Sequence, residues 1–221
     1  MKKLNQYPEY RNDAHGVPVR GFLHRATGSG TDWLILTHGA GSNCNAPLVV
    51  TLSEAFAASG FTVLRCDLPF RQQRPNGPPP RGSAERDQLG LQAALASARQ
   101  HTSGKVFLGG HSYGGRQSSM LAADQPSLVS GLLLLSYPLH PPRRPSELRT
   151  AHFPRLQTPS LFVHGARDGF GSLEELAAAL KLIPASTTLL PVAAAGHELL
   201  TGKNRNALPA LIVEAFQSFR R

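Results

Sequence analysis

The residues with the clearest chemical meaning are Gly110-His111-Ser112-Tyr113-Gly114. They lie between an apolar run that predicts a strand, 105–109, and a pattern that predicts a helix, 115–124. A Gly-x-Ser-x-Gly sequence at such a junction is typical of a sharp turn that presents a nucleophilic serine. Glycines are needed there because side chains would collide with the adjacent strand and helix. We therefore predict that Ser112 is a nucleophile at the N-terminus of a helix.

A serine hydroxyl needs a base to take its proton and an acid to orient that base. In the fold that uses this turn, the chain order is serine, acid, histidine. Asp168 and His197 each follow a predicted strand, in that order. The sequence therefore predicts that Asp168 orients His197 and that His197 activates Ser112. Asp67, after an earlier strand, is the alternative acid, and chain order favours Asp168.

A reaction of this kind also needs two backbone N–H donors for the oxyanion. One is expected from Tyr113, directly after the serine. The other is expected from Ala40, in the glycine-rich loop that follows an apolar strand at 32–37. This loop lacks the GxxxxGK pattern of a phosphate-binding loop.

Three residues in proline-rich segments are predicted to contact substrate: Arg71, His140 and His152. Both segments follow strands, and ligands of open α/β sheets bind at the carboxyl ends of the strands. The other histidines are interpreted as surface or packing residues. No HxH, HExxH or Cys/His spacing indicates a metal site, and no cofactor is predicted.

The elements that must position these residues alternate along the chain. Strands are predicted at 17–25, 32–37, 61–66, 105–109, 132–136, 160–164 and 187–191, and helices at 47–59, 83–100, 115–124, 172–183 and 206–219. This alternation predicts an α/β fold with a mostly parallel sheet and helices on both faces. Two proline-rich loops, 70–82 and 138–159, interrupt it, and both are too short for a cap domain. We expect one domain over residues 1–221, with an open, shallow site.

Composition limits the possible partners and compartment. The chain has 221 residues, a formal net charge of +9 and two cysteines, Cys44 and Cys66. No apolar run approaches the 18 or so residues of a membrane span, and residues 1–8 lack the apolar core of a signal peptide. A reduced cytoplasmic protein with no disulfide framework and no membrane partner is the expectation. No particular oligomeric state is favoured.

The positive charge raises nucleic acids and acidic small molecules as partners. The absence of an RNP motif or a helix-turn-helix signature argues against nucleic acid. Residues 65–86 and 140–155 each carry a net charge of +3. Because both follow strands, we expect them to rim the site and attract anionic substrates, with solvated surface arginines as the alternative.

Six segments of the sequence carry a family resemblance: 36–41, 65–71, 109–116, 135–140, 162–168 and 195–197. The chain resembles the α/β-hydrolase superfamily. Within it, the chain is similar to the small predicted-hydrolase family that includes the testis-expressed protein thirty and a subunit of the non-specific-lethal chromatin complex. The resemblance implies an α/β-hydrolase core with Ser112, Asp168 and His197 as the triad. The layout is also similar to dienelactone hydrolases, which carry a nucleophilic cysteine where this chain has Ser112.

These observations favour a serine hydrolase that acts on a carboxylic ester or a related acyl bond of a small-molecule substrate, anionic substrates included. Two alternatives stay open. One is a non-catalytic binding or scaffold module on the same fold. The other is an acyltransferase, because hydrolysis and transfer share the acyl-enzyme.

Overall fold

A computed structural model describes residues 7–219 and gives the alternation of strands and helices expected from the sequence. The strands are β1 Glu9–Asn12, β2 Val19–His24, β3 Trp33–Thr37, β4 Thr62–Cys66, β5 Val106–His111, β6 Leu132–Leu135, β7 Ser160–Gly165 and β8 Thr187–Val192. The helices are α1 Pro47–Ala58, α2 Pro69–Gln73, α3 Ser83–Arg99, α4 Tyr113–Asp124, α5 Leu173–Leu180 and α6 Leu208–Phe219.

The eight strands of the described region form one sheet in the order β1-β2-β4-β3-β5-β6-β7-β8. Strands β3 to β8 are parallel, whereas β1 and β2 pair in antiparallel fashion at one side. This is the α/β-hydrolase fold, and the predicted fold class is confirmed. The connection after β3 runs to β4 on one side, and the connection after β5 runs to β6 on the other, which opens a crevice at the carboxyl ends of β3 and β5.

Both faces of the sheet are covered by helices. In β3, Leu34 and Leu36 pack in the cluster with α1 and α6, while Trp33 and Ile35 pack with α3, α4 and α5 on the other face. All five residues of β3 are buried. A strand buried on both sides needs apolar residues throughout, which explains why the predicted strands appear as continuous apolar runs.

Three local features differ from the sequence predictions. β1 was not predicted, because its residues are polar and only half-buried, and Asn12 is held by a hydrogen bond to Ser97 on α3. The predicted loop 70–82 begins with the short helix α2, which starts at Pro69. The sequence suggests Ser83 as the N-cap of α3, whereas α3 includes Ser83 and is preceded by Gly82 in a left-handed conformation.

The segment between β6 and β7 has no helical cap within the described chain. Its only regular element is a single 3₁₀ turn, Phe153–Arg155. Among residues 7–219, no helix has the length and apolarity that a membrane crossing requires. The first six residues, part of the segment interpreted as lacking a signal peptide, lie outside the described residues.

His24 on β2 makes stability depend on pH. Its side chain is 1% exposed, and its Nε2 accepts a hydrogen bond from Arg65 Nε at 2.8 Å. Burial, followed by the Arg65 charge, lowers the pKa of His24 to about 4. An unfolded histidine binds a proton near pH 6.5, so the unfolded chain takes up more protons than the folded one between pH 6.5 and 4. This residue's contribution to stability is therefore lost as the pH falls through that window.

We expect His24→Gln to reduce the loss of unfolding free energy between pH 7.5 and 5.5 by about 1.3 kcal/mol. Glutamine retains an acceptor for Arg65 but does not titrate. Urea unfolding at the two pH values measures the effect, with the exposed His101→Gln as the matched control. An unchanged pH dependence in His24→Gln would contradict the assignment.

Candidate active site

The turn between β5 and α4 is as sharp as its glycines imply. Ser112 has φ 51° and ψ −113°, a strained conformation, and its N–H donates to the Leu135 carbonyl of β6 at 2.8 Å. A Cβ added at Gly110 would lie 2.7 Å from the Gly114 carbonyl carbon. One added at Gly114 would lie 2.6 Å from the His38 carbonyl oxygen. The backbone therefore leaves no space for side chains at either glycine.

We expect Gly114→Ala to lower the unfolding free energy by about 1–3 kcal/mol, because its Cβ would meet the His38 carbonyl oxygen and the Thr37 methyl carbon, each at 2.6 Å. The first turn of α4 must move away from β3, and we expect kcat to fall about 100-fold. Thermal unfolding and ester turnover measure both effects. Gly202→Ala is the matched control, since a Cβ at Gly202 meets nothing within 4 Å. Equal behaviour of the two variants would contradict this account.

Three side chains predicted to act together lie within hydrogen-bonding distance. His197 Nε2 is 2.8 Å from Ser112 Oγ. His197 Nδ1 is 2.9 Å and 3.0 Å from the two carboxylate oxygens of Asp168. These residues come from three loops at the carboxyl edge of the sheet, after β5, β7 and β8. The alternative acid, Asp67, instead accepts the Cys44 N–H at 2.7 Å and lies 3.4 Å from His38.

Asp168 is held as an ionised acceptor. Burial alone would raise the pKa of this carboxyl. Hydrogen bonds from His197 and from the Phe170 N–H, together with the charges of His197 and His164, outweigh the effect of burial, so the pKa lies below its usual range. The Phe170 ring also lies against the His197 imidazole, with 4.2 Å between ring centroids. Sequence reasoning missed Phe170, although it stands only two residues after Asp168.

His111 supports the loop that carries His197. Its Nε2–H donates to the His197 backbone carbonyl at 2.8 Å, and the two rings lie 5.1 Å apart. Burial is the main effect that lowers the pKa of His111, so the ring stays neutral and keeps one N–H for this bond. His111, one of the histidines interpreted from the sequence as surface or packing residues, thus fixes the position of the His197 imidazole.

The loop after β3 approaches the nucleophile closely. A Cβ on Gly39 would lie 3.5 Å from Ser112 Cβ, and His38 Nδ1–H donates to the Gly39 carbonyl at 2.8 Å. Within residues 7–219, neither the Ala40 N–H nor the Tyr113 N–H has a hydrogen-bond acceptor. Both predicted oxyanion donors are therefore available to a ligand.

Arg71 anchors this loop. Its guanidinium, 5% exposed, donates to four carbonyl oxygens, those of Ala40, Ser42, Arg74 and Gly77, at 2.7–2.9 Å. This differs from the predicted substrate contact. Four of its five N–H donors are already used by the backbone, so Arg71 fixes the shape of the loop.

The Tyr113 side chain is held by a carboxylate that sequence reasoning missed. Its hydroxyl donates to Asp87 Oδ2 at 2.7 Å, and Asp87 Oδ1 accepts the Phe70 N–H at 3.0 Å. Asp87 is fully buried on α3, and burial raises its pKa against the effect of these hydrogen bonds. The carboxylate joins α2, α3 and the start of α4.

The two histidines predicted to contact substrate are buried instead. His140, 5% exposed, has Nδ1 at 2.8 Å from the Pro141 carbonyl and Nε2 at 3.6 Å from Glu175. His152, 7% exposed, has Nε2 at 2.8 Å from Ser119 Oγ. Each ring thus has one nitrogen in a hydrogen bond within the protein, a contact that local sequence does not reveal, whereas His140 Nε2 has no hydrogen-bond partner.

Comparison with known proteins identifies the family. The profile of the alpha/beta hydrolase domain family matches residues 30–216. The chain belongs to this family. Among solved structures, this α/β hydrolase is similar to Est1E from Butyrivibrio proteoclasticus, with a TM-score of 0.77, 16% identity and coverage of 96% of this chain and 98% of that one.

Two further structures share the fold. An alpha-beta serine hydrolase homologue from Coxiella burnetii has a TM-score of 0.76 and 20% identity, covering 94% of this α/β hydrolase and 96% of its own chain. A dienelactone hydrolase from Anabaena variabilis has a TM-score of 0.73 and 22% identity. The match covers 98% of this α/β hydrolase and 100% of the dienelactone hydrolase chain. At these identities the likeness supports the fold alone.

Within residues 7–219, no cluster of three or more His, Cys, Asp or Glu side chains could hold a metal ion. A cleft of about 820 Å³ lies at the other edge of the sheet, lined by residues that precede β3, β5 and β7. It is far from Ser112 and takes no part in the site.

Proposed function

We propose that this α/β hydrolase is a carboxylesterase-like serine hydrolase that cleaves an ester bond of a small substrate. The observation that carries the proposal is the continuous hydrogen-bonded series from Ser112 Oγ through His197 to the Asp168 carboxylate, at 2.8–3.0 Å. A base at this distance from a hydroxyl, oriented by a buried carboxylate, is the arrangement that acyl transfer to serine requires.

In the proposed mechanism, Ser112 Oγ attacks the ester carbonyl and His197 Nε2 takes the hydroxyl proton. The Ala40 and Tyr113 N–H groups bind the oxyanion, with help from the positive end of the α4 dipole. His197 then donates its proton to the departing alcohol, which leaves an acyl-Ser112. A water molecule, deprotonated by His197, attacks the acyl group and releases the carboxylic acid. Asp168 keeps Nδ1 protonated throughout.

The narrower features belong to the same proposal. We infer one domain over residues 1–221, a cytoplasmic enzyme and kinship with the testis-expressed protein thirty family. The free, buried Cys44 and Cys66 support a reducing compartment. The short segment between β6 and β7 supports an open site that takes modest acyl groups.

A fluorophosphonate probe tests the proposal, because such probes phosphonylate activated serines. Trypsin releases residues 106–116 as one peptide in which Ser112 is the single serine. We expect one adduct per native chain, located on this peptide by mass spectrometry, and no adduct on heat-unfolded protein. As the fraction of labelled chains rises, the rate at which the protein hydrolyses short-chain 4-methylumbelliferyl esters should fall in proportion.

Two results would contradict the proposal. One is a natively folded protein that neither forms the adduct nor hydrolyses any ester of the series. The other is an adduct on a different peptide with activity retained.

A further inference from the structure

Arg116 lies beside the proposed nucleophile, one turn further along α4. Its backbone N–H donates to the Ser112 carbonyl at 2.9 Å, so the two residues are about 6 Å apart along the helix. Tyr113 precedes Arg116 by three residues, and residues at that spacing share a helix face. Burial and Asp87 raise the pKa of the Tyr113 hydroxyl, and the Arg116 charge acts against them. By this spacing, the Arg116 and Tyr113 side chains leave α4 on the same side.

Arg149 reaches the same region from the segment between β6 and β7. Its backbone N–H donates to the Leu139 carbonyl at 2.8 Å, and its own carbonyl accepts the Tyr137 hydroxyl at 2.6 Å. Its Nη1 lies 3.3 Å from the Pro138 carbonyl. Residues 137–139 follow β6, the strand that holds the backbone of the nucleophile turn. Two chain segments far apart in sequence thus bring two arginines to one edge of the sheet.

These two arginines have no anionic partner. Within residues 7–219, no carboxylate lies within ion-pair distance of either guanidinium, and the buried Arg116 Nε has no hydrogen-bond partner. Exposed arginines nearby are paired, Arg144 with Glu147 and Arg155 with Asp124. Burial, followed by the Arg116 charge, lowers the pKa of Arg149.

The neighbouring side chains do not neutralise the pair. Burial, followed by Arg116 and Arg155, lowers the pKa of His152 to about 4, so this ring is neutral at pH 7 and adds no charge. The Tyr137 hydroxyl is neutral as well, since burial raises its pKa. Both arginines are half-buried beside Tyr137, whose hydroxyl donates to the Arg149 carbonyl and interacts with the Arg116 side chain. Two positive charges held there are unfavourable until an anion joins them, and guanidinium groups match carboxylates in shape.

We propose that Arg116 and Arg149 form an anion subsite next to Ser112 that binds a carboxylate of the substrate, so that the preferred substrates are half-esters of dicarboxylic acids. This inference rests on the proposed function for its catalytic part, and it assigns the specificity of the same site. The subsite does not include Arg71 or the exposed arginines of residues 140–155, although Arg149 belongs to that segment, whose net charge the sequence pattern had singled out.

A pair of esters that differ in one carboxylate tests the subsite: 4-methylumbelliferyl hydrogen adipate and 4-methylumbelliferyl hexanoate, both with six-carbon acyl chains. The measured quantity is the ratio of kcat/KM for the charged ester to that for the neutral ester. We expect Arg116→Gln and Arg149→Gln each to lower this ratio about tenfold, chiefly through KM for the adipate ester. Arg116→Lys, which keeps the charge but loses the planar fork, should lower it less.

Arg144→Gln is the matched control, because it removes the same charge from the same segment while its side chain is 67% exposed. We expect it to change the ratio less than twofold. Thermal unfolding of each variant tests that the fold is retained. An unchanged ratio in Arg116→Gln and Arg149→Gln would overturn the subsite. An equal decrease in Arg144→Gln would overturn it too, because the charge effect would then be general.

Adipate binding, followed by calorimetry at low salt, separates this inference from the proposed function. If a folded protein hydrolyses neither ester, the proposed function fails. Adipate binding to the natural sequence that is lost in Arg116→Gln would still support the subsite. Absence of adipate binding to the natural sequence would overturn it.

Discussion

Replacing Ser112 with alanine is expected to lower kcat for ester hydrolysis by about 10⁵–10⁶-fold and to abolish fluorophosphonate labelling. The alanine removes the only atom that can form the acyl-enzyme, while His197, Asp168 and the two N–H donors stay in place. Residual turnover would come from water held near the oxyanion donors. Initial rates with a 4-methylumbelliferyl ester at high enzyme concentration measure the decrease.

The matched control is Ser53→Ala. Ser53 is fully buried on α1, where its hydroxyl donates to the Val49 carbonyl, so the change removes a buried serine remote from the site. We expect its kcat to stay within threefold of the natural sequence. Activity retained in Ser112→Ala, measured on protein free of other esterases, would refute the role of Ser112.

Replacing Asp168 with asparagine is expected to lower kcat about 10⁴-fold with little change in the fold. The carboxylate accepts hydrogen bonds from His197 Nδ1–H and the Phe170 N–H. An amide facing Nδ1 presents an N–H, which favours the His197 tautomer that carries its proton on Nε2. That nitrogen then cannot accept the Ser112 proton.

Asp67→Asn provides the control and tests the alternative acid. Asp67 accepts the Cys44 N–H, and an asparagine oxygen can keep that bond. We expect kcat within tenfold of the natural sequence, with both variants compared by steady-state kinetics and circular dichroism. A larger loss of kcat in Asp67→Asn than in Asp168→Asn would reverse the assignment.

The elements of the fold that neighbouring residues determine, namely the parallel strands and the turn at Ser112, could be predicted from the sequence. Apolar runs gave the six parallel strands within a few residues, because strands buried on both faces need apolar side chains throughout. The glycines on either side of Ser112 indicated the turn, because the turn leaves no space for side chains at Gly110 and Gly114. β1 was missed because polar residues on an edge strand carry no such pattern, and its contacts with α3 span more than 80 residues.

The site was predictable in outline but not in its partners. Chain order and parallel strands sufficed to predict that Ser112, Asp168 and His197 lie together. Residue type alone suggested substrate contacts for Arg71, His140 and His152, yet these side chains are held by carbonyls and side chains that only the folded chain brings near. Arg116 and Arg149 were not singled out as a pair, because they are 33 positions apart in the sequence, which hides their proximity in the fold.

The anchoring of the loop after β3 by Arg71 has a consequence for changing the specificity of this protein. One guanidinium joins residues 40–42 to residues 74–77, so the two segments form a single mechanical unit. A mutant library that varied either segment alone would consist mainly of chains in which Arg71 has lost an acceptor. Libraries that vary both segments together, with Arg71 kept, would sample new loop shapes that remain attached.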